Sequence, residues 1–167
     1  MTSQTSKKIK EICERLDTHI QNPKTELDYL SDYTFLVAVV LSAQTTDVQV
    51  NKVTSVLFKK YKTPDDILNL GLEQFTAEIR SIGLYRNKAK HIMEFSKILK
   101  EKYNSKIPNS REALESLPGI GRKSANVVLN TLFDEPTIAV DTHVLRLSGR
   151  LGLSENSDPR KVEDDLE

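Results

Sequence analysis

Cysteine is nearly absent from this sequence of 167 residues, in which Cys13 is the only one. No intramolecular disulfide can form, and the thiolates that an iron–sulfur cluster or a cysteine-type zinc site needs are missing. The three histidines, His19, His91 and His143, are far apart in the sequence and do not have the spacing of metal ligands. We therefore predict that the chain holds no metal.

Long apolar runs are absent as well, so no segment approaches the roughly 18 residues that cross a membrane. The N-terminal residues are polar and lead into an amphipathic helix, a pattern that does not fit a signal peptide. We expect a cytoplasmic protein. The net charge is zero, but residues 84–127 carry ten basic and four acidic side chains, which gives plus six. Such a stretch is usually a solvated surface, although it could contact phosphates.

Alternation of apolar and polar residues is also lacking almost everywhere, which argues against half-buried strands. The apolar run Phe35–Leu41 could pass for a buried strand, but no similar run lies nearby to pair with it. Preceded by Ser31 and Asp32, which are good helix caps, it fits a buried helix instead. The sequence therefore predicts an all-α helical bundle.

Helix boundaries are marked by capping residues. We expect a short helix from Thr63-Pro64 to Gly71, another through Leu72, Phe75, Ile79 and Ile82 that ends at Gly83, and a third that starts after Ser110. Asp158-Pro159 is a helix start too. Near the N-terminus one helical face carries five apolar or small residues, which predicts that Cys13 is a core residue. These residues are Ile9, Ile12, Cys13, Leu16 and Ile20.

The most informative segment is Leu117–Lys123, which reads Leu-Pro-Gly-Ile-Gly-Arg-Lys. Gly119 and Gly121 can form a tight turn whose N–H groups face outward at the start of the next helix, where a phosphate binds well. It is not a P-loop, because that motif needs four residues between its glycines. Lys123 then stands at the positive end of a helix, where it could contact a phosphate or act as a nucleophile.

The chain resembles the helix-hairpin-helix family of DNA glycosylases and AP lyases. Four motifs carry the resemblance in the family's order: Leu41-Ser-Ala-Gln-Thr-Thr-Asp47, Ile82-Gly-Leu-Tyr85, the hairpin continuing to Asn130, and Pro136-Thr-Ile-Ala-Val-Asp-Thr-His143. The resemblance implies two helical lobes that bind DNA between them. One lobe would span residues 23–133, and a second, incomplete lobe would combine residues 1–22 with 134–167. The cysteine ligands of the family's 4Fe-4S cluster are absent, so we expect no cofactor in this chain.

The resemblance also implies a function, namely base-excision repair of oxidised pyrimidines followed by strand cleavage through a lysine Schiff base. Lys123 would be the nucleophile and Asp141 its assisting carboxylate. Gln44 and Leu84 match the wedge that fills the gap left by a flipped nucleotide. The remaining contacts with DNA would come from Gly119, Gly121, Arg122 and Lys88. The expected partner is double-stranded DNA with a damaged or missing base in the bacterial nucleoid, with no membrane and no obligate protein partner.

Each of these residues has a plainer interpretation. Lys123 could be a surface phosphate contact, and Asp141 could simply cap the helix that begins near Thr142. Gln44 could be an ordinary surface residue, and Leu84 could be the apolar contact that often accompanies a glycine cap. Two other functions stay open: a DNA-binding module without chemistry, and a monofunctional mismatch glycosylase. The second is disfavoured because such relatives usually lack a lysine at this position.

Overall fold

A computed structural model describes residues 3–21 and 23–167, with side chains from residue 7 onward except residue 22. These residues form helices and no strands, which confirms the predicted all-α fold. The helices are α1 (Ser3–His19), α2 (Asp32–Ser42), α3 (Asp47–Lys60), α4 (Pro64–Leu70), α5 (Leu72–Glu78), α6 (Tyr85–Tyr103), α7 (Arg111–Glu115), α8 (Arg122–Phe133), α9 (Thr142–Leu151) and α10 (Pro159–Leu166).

The chain is divided into two compact units. The central unit is Glu26–Thr137, and the terminal unit combines Met1–Thr25 with Ile138–Glu167. The sequence analysis divided the chain into a lobe of residues 23–133 and a second lobe of residues 1–22 and 134–167. That division into lobes stays a prediction. Within the described residues, no helix is long and apolar enough to cross a membrane.

Helix α2 lies at the centre of the central unit. Its residues from Tyr33 to Leu41 are all buried, and it packs against α3, α6 and α8. A helix that is apolar on every side is stable only inside a core, which is why this run forms a helix rather than a strand. Ser31 caps it, since its hydroxyl accepts a hydrogen bond from the N–H of Thr34.

Helix α5 is shorter than the sequence predicted. It ends at Glu78 rather than near Gly83, although Ile79 and Ile82 are buried as their spacing suggested. The N–H of Ile82 donates to the carbonyl of Ile79, three residues back, which is a tight turn and not a continued α-helix. The other predicted starts are confirmed, with Thr63, Ser110 and Asp158 as N-caps.

The prediction that Cys13 is a core residue is wrong. Cys13 is exposed, and Leu16 in α1 and Ile20 just after it are more than half exposed. An apolar stripe becomes a core only when another element covers it. Among the described residues of this stripe, Ile9 and Ile12 are half-buried and the other three are exposed.

A buried hydrogen bond joins α2 to α6 within the central unit. Ser96 donates to the carbonyl of Ile92, so the hydroxyl of Tyr33 donates to Ser96 at 2.7 Å. Burial raises the pKa of the Tyr33 phenol well above its ordinary value, the nearby Asp66 carboxylate adds to this, and the bond to Ser96 opposes it. The folded state therefore favours the neutral phenol.

We predict that Tyr33→Phe costs roughly 1 kcal/mol at neutral pH, which is the value of one hydrogen bond. This advantage of the native tyrosine is fully present below the ordinary tyrosine pKa of about 10 and is lost as the pH rises above it, because the unfolded phenol ionises first. Urea unfolding of both proteins from pH 7 to 10.5 measures the difference. Ser96→Ala is the matched control, because it removes the partner but keeps the phenol and hence the alkaline loss. A Tyr33→Phe difference that is the same at every pH would contradict the prediction.

Candidate functional site

The hairpin between α7 and α8 is built on two buried anchors. Leu117 and Ile120 are buried, and the N–H of Ile120 donates to the carbonyl of Leu117 at 3.1 Å. Between them Gly119 has a φ of 81°, in the left-handed region that favours glycine. The anchors hold the turn against the core and leave Gly119 and Gly121 on its outer side, exposed.

Helix α6 supports this hairpin from behind. A Cβ atom at Gly119 would lie 2.8 Å from Nδ1 of His91 and 3.0 Å from its Cβ. Both the backbone conformation and the space therefore exclude a side chain at position 119. The sequence analysis missed the role of His91, because nothing in its local pattern relates it to a glycine 28 positions later.

Helix α8 begins directly after the hairpin, as predicted. Gly121 is its N-cap and has no side chain with which to cap the first turn. Lys123 is the second residue of the helix and is exposed, while Arg122 before it is half-buried. The N-terminal end of a helix is electropositive and its first N–H groups point along the axis, so this end of α8 favours an anion.

Buried residues fix α8 behind Lys123. Ala125, Asn126, Val128 and Leu129 face the core. The Asn126 amide oxygen accepts a hydrogen bond from Nε of Arg111 at 2.9 Å, which joins α8 to α7 across the hairpin. Lys123 therefore stands on a rigid element rather than on a loop.

Asp141 caps α9 in the terminal unit. Its Oδ1 accepts hydrogen bonds from the N–H groups of His143 and Val144, both at 2.9 Å, and the side chain is half-buried. The plainer interpretation of Asp141 is thus confirmed. Its participation in chemistry with Lys123, which belongs to the central unit, stays a prediction.

Gln44 and Leu84 occupy two turns that lie in contact with each other. Both residues are exposed, Leu84 by 60%, and both have left-handed backbones with φ values of 55° and 57°. Such values are uncommon outside glycine, and each costs on the order of 1 kcal/mol. At Gly83 a Cβ atom would be 3.6 Å from the Gln44 carbonyl oxygen and from Thr45 Oγ1, so the two turns touch. The sequence did not predict these strained backbones.

Lys88 occupies a position that does not suit the predicted phosphate contact. Its side chain is 5% exposed, and Nζ donates to the carbonyls of Leu41 at 2.8 Å and Ala43 at 2.6 Å and to Thr45 Oγ1 at 3.0 Å. Burial lowers the pKa of its ammonium group. The sequence did contain a signal, because Lys88 shares a helical face with Ile92, Phe95 and Leu99, and that spacing predicts a buried side chain.

The residues present do not fit the iron–sulfur cluster that the resemblance implies for most of the family. Such a cluster needs four cysteine ligands, and the sequence has only Cys13, whose side chain is exposed. Among the described residues no group of three or more histidine, cysteine or carboxylate side chains could hold a metal ion.

Known proteins have similar sequences and the same fold. The family model of HhH-GPD superfamily base excision DNA repair proteins matches residues 37–167. Endonuclease III from Rickettsia conorii is 51% identical over 158 residues, which are 95% of this chain and 75% of that protein. Endonuclease III from Escherichia coli K12 is 47% identical over 156 residues, 93% of this chain and 74% of that protein.

A solved structure of a trapped covalent intermediate of endonuclease III with DNA superposes with a TM-score of 0.90 at 45% identity, covering 99% of this chain and 77% of that one. The fold, the motifs and the relatives agree that this protein is a DNA glycosylase and AP lyase that acts on DNA. The chain belongs to the HhH-GPD superfamily of base excision DNA repair proteins.

Proposed function

We propose that this glycosylase and AP lyase removes oxidised pyrimidines from double-stranded DNA and that Lys123 is its nucleophile. The observation that carries the proposal is the placement of Lys123, an exposed lysine at the second position of α8, directly after a glycine hairpin. The existence of a trapped covalent endonuclease III–DNA intermediate in a relative that is 45% identical supports chemistry of this type.

The chemistry requires Lys123 as a neutral amine, because an ammonium has no electron pair with which to attack carbon. Nζ of Lys123 attacks C1′ of the damaged nucleotide, and the bond from C1′ to the base breaks, with the electron pair leaving on the base, which takes up a proton. The attached amine loses one proton, the C1′–O4′ bond of the sugar ring breaks with O4′ taking up a proton, and a protonated Schiff base forms between C1′ and Nζ. Removal of a proton from C2′ gives an enamine, whose electron pair expels the 3′ phosphate by β-elimination. Water later hydrolyses the Schiff base and releases the lysine.

Asp141 is proposed to assist while it caps α9. A carboxylate stabilises the cationic sugar that develops as the base leaves, and it can accept a proton from the attacking amine. The two cap hydrogen bonds to Oδ1 fix the orientation of the carboxylate. Capping and catalysis are therefore compatible roles of one side chain.

The DNA backbone is proposed to lie against the hairpin, with a phosphate at the turn of Gly119 and Gly121 and at the start of α8, beside Arg122. Gln44 and Leu84 are proposed as the wedge that occupies the space of the flipped nucleotide. Their turns touch and both side chains are exposed, as a wedge requires. Because an enzyme that repairs chromosomal DNA must reach the chromosome, we also propose that the protein associates with the bacterial nucleoid.

We predict that Lys123→Gln abolishes covalent trapping. A duplex with one oxidised thymine, treated with borohydride, should give a protein–DNA band with the native chain and none with the variant, because the imine cannot form. Lys97→Gln is the matched control, since the Lys97 amine lies on the solvent side of α6 beside Glu101. If Lys123 is only a phosphate contact, the band persists and the salt dependence of DNA binding falls by about one charge. If the native chain, shown to be folded, gives no band, it binds DNA without lyase chemistry.

Asp141→Asn should separate capping from catalysis. Asparagine caps a helix about as well as aspartate, so the free energy of unfolding should change by less than about 0.5 kcal/mol. Loss of the charge should lower the single-turnover rate of base excision by roughly 10²- to 10⁴-fold, the usual contribution of a positioned acid or base. Asp141→Ala should lose the same activity and about 1 kcal/mol of stability in addition. Full activity in Asp141→Asn would contradict the catalytic role and show that Asp141 only caps α9.

Gly119→Ala and Gly121→Ala form a matched pair in the hairpin. Alanine at 119 meets His91 and needs a left-handed backbone, which alone costs roughly 1–2 kcal/mol. Position 121 has a φ of −97° and open space around its Cβ, so alanine there costs no more than about 1 kcal/mol. Chemical unfolding and titration of a duplex with a stable abasic analogue should therefore show the larger loss of stability and affinity in Gly119→Ala. Equal affinities for the two variants would argue against a phosphate at this turn.

A further inference from the structure

The buried ammonium of Lys88 connects the two turns that carry Gln44 and Leu84. Its backbone N–H donates to the carbonyl of Leu84 at 3.1 Å, within the first turn of α6. Its side chain crosses to the end of α2 and donates to Ala43 at 2.6 Å and to Thr45 at 3.0 Å, the neighbours of Gln44 on either side. A single residue thus bonds to both turns.

The bonding of this ammonium is complete. A lysine ammonium has three N–H donors, and here they meet three neutral oxygen atoms, the carbonyls of Leu41 and Ala43 and the hydroxyl of Thr45. A charge is buried in this way only where its hydrogen bonds are satisfied, so the side chain has one position. Lys88 is therefore a fixed structural contact and not a mobile surface lysine.

A second contact joins the same two segments from the other side. Nε2 of Gln49 in α3 donates to the carbonyl of Ser81 at 3.4 Å and to its hydroxyl at 3.3 Å, two residues before Gly83. Gln44 and Leu84, in the segments that Lys88 and Gln49 connect, have left-handed backbones that cost free energy on their own. Such a backbone persists only where the surrounding contacts determine it, and Lys88 bonds to the residues on either side of Gln44 and to Leu84 itself.

We propose that Lys88 is a positioning residue: it fixes the turn of Gln44 against the turn of Leu84 and so sets the geometry with which the wedge enters DNA. The inference rests on the proposed wedge. Lys88 itself does not touch the reacting atoms. Lowering of its pKa by burial fits a side chain whose bonds are all internal.

The test compares strand cleavage at an abasic site in a duplex with cleavage at the same site in a single strand, where the nucleotide has no helix to leave and the wedge meets no opposite base. Lys88→Met keeps the length of the side chain and removes its donors. It should slow single-turnover cleavage of the duplex by on the order of 100-fold, the effect of a misplaced contact, and leave the single-strand rate unchanged. Lys88→Arg, which keeps the charge and the donors, should recover most of the duplex rate. Lys97→Met on the same helix is the matched control and should alter neither rate.

Fluorescence of 2-aminopurine placed opposite a stable abasic analogue reports the wedge directly, and the sequence has no tryptophan to interfere. The native chain should raise the signal by unstacking this base, and Lys88→Met should raise it less at saturation. Gln44→Ala should show the same defect, and the double variant should be no worse than either single one, because the two residues act as a unit.

Three failures are distinguishable. No cleavage of either substrate by the native chain contradicts the proposed lyase chemistry. Normal duplex cleavage by Gln44→Ala contradicts the wedge. Impaired Gln44→Ala beside normal Lys88→Met, or Lys88→Met slowed equally on both substrates, overturns the positioning role. If Lys88→Met does not fold, Thr45→Val keeps the lysine and removes one acceptor, and it should slow the duplex reaction severalfold while sparing the single strand.

Discussion

Helix α2 is buried on every side, and its carbonyl end therefore has to find hydrogen-bond donors inside the protein. The last carbonyls of any helix lack partners within it, and α2 is buried as far as Leu41 in its last turn. Lys88 supplies an ammonium group at this end, with a charge that also suits the negative pole of the helix. The hydrogen bonds that complete the buried end of α2 thus also fix the turn that follows it, and the exposed Gln44 lies in that turn. The Lys88 ammonium therefore belongs both to the core and to the proposed site.

Helix α6 carries this arrangement further along its length. Leu84 is its N-cap, Lys88 closes its first turn, and His91 follows three residues later against Gly119 of the hairpin. Residues three or four apart lie on one side of a helix, so a single face of α6 meets both the end of α2 and the hairpin before α8. The two surfaces proposed to bind DNA, the wedge turns and the hairpin, are consequently both positioned by α6. Segments that are distant in the sequence are in this way held against the same helix.

Much of the fold was predictable because the relevant signals are local. Ser31, Thr63, Ser110 and Asp158 mark helix starts through short-range capping, and the hairpin glycines mark their turn through backbone freedom alone. Contacts between distant segments carry no such signal. Nothing near Lys88 states which carbonyls it would reach, and only its place in an apolar stripe shows that it is buried. The exposed Cys13 illustrates the opposite error, because periodicity identifies an apolar face but does not supply the element that covers it. At the site, the place of Lys123 in the first turn of α8 and the cap at Asp141 followed from the sequence, whereas the left-handed backbones of Gln44 and Leu84 depend on tertiary contacts.

The division of the chain has a consequence for biosynthesis. The central unit is one continuous segment, whereas the terminal unit draws on both ends of the chain. On the ribosome the central unit can begin to fold once Thr137 has emerged, because its own segment is then complete. Helix α1 precedes that unit in the chain, whereas residues 138–167, with which it shares the terminal unit, follow it. The terminal unit can therefore form only after the central unit has been synthesised, and the apolar side chains of α1 are accessible to a nascent-chain chaperone throughout that interval.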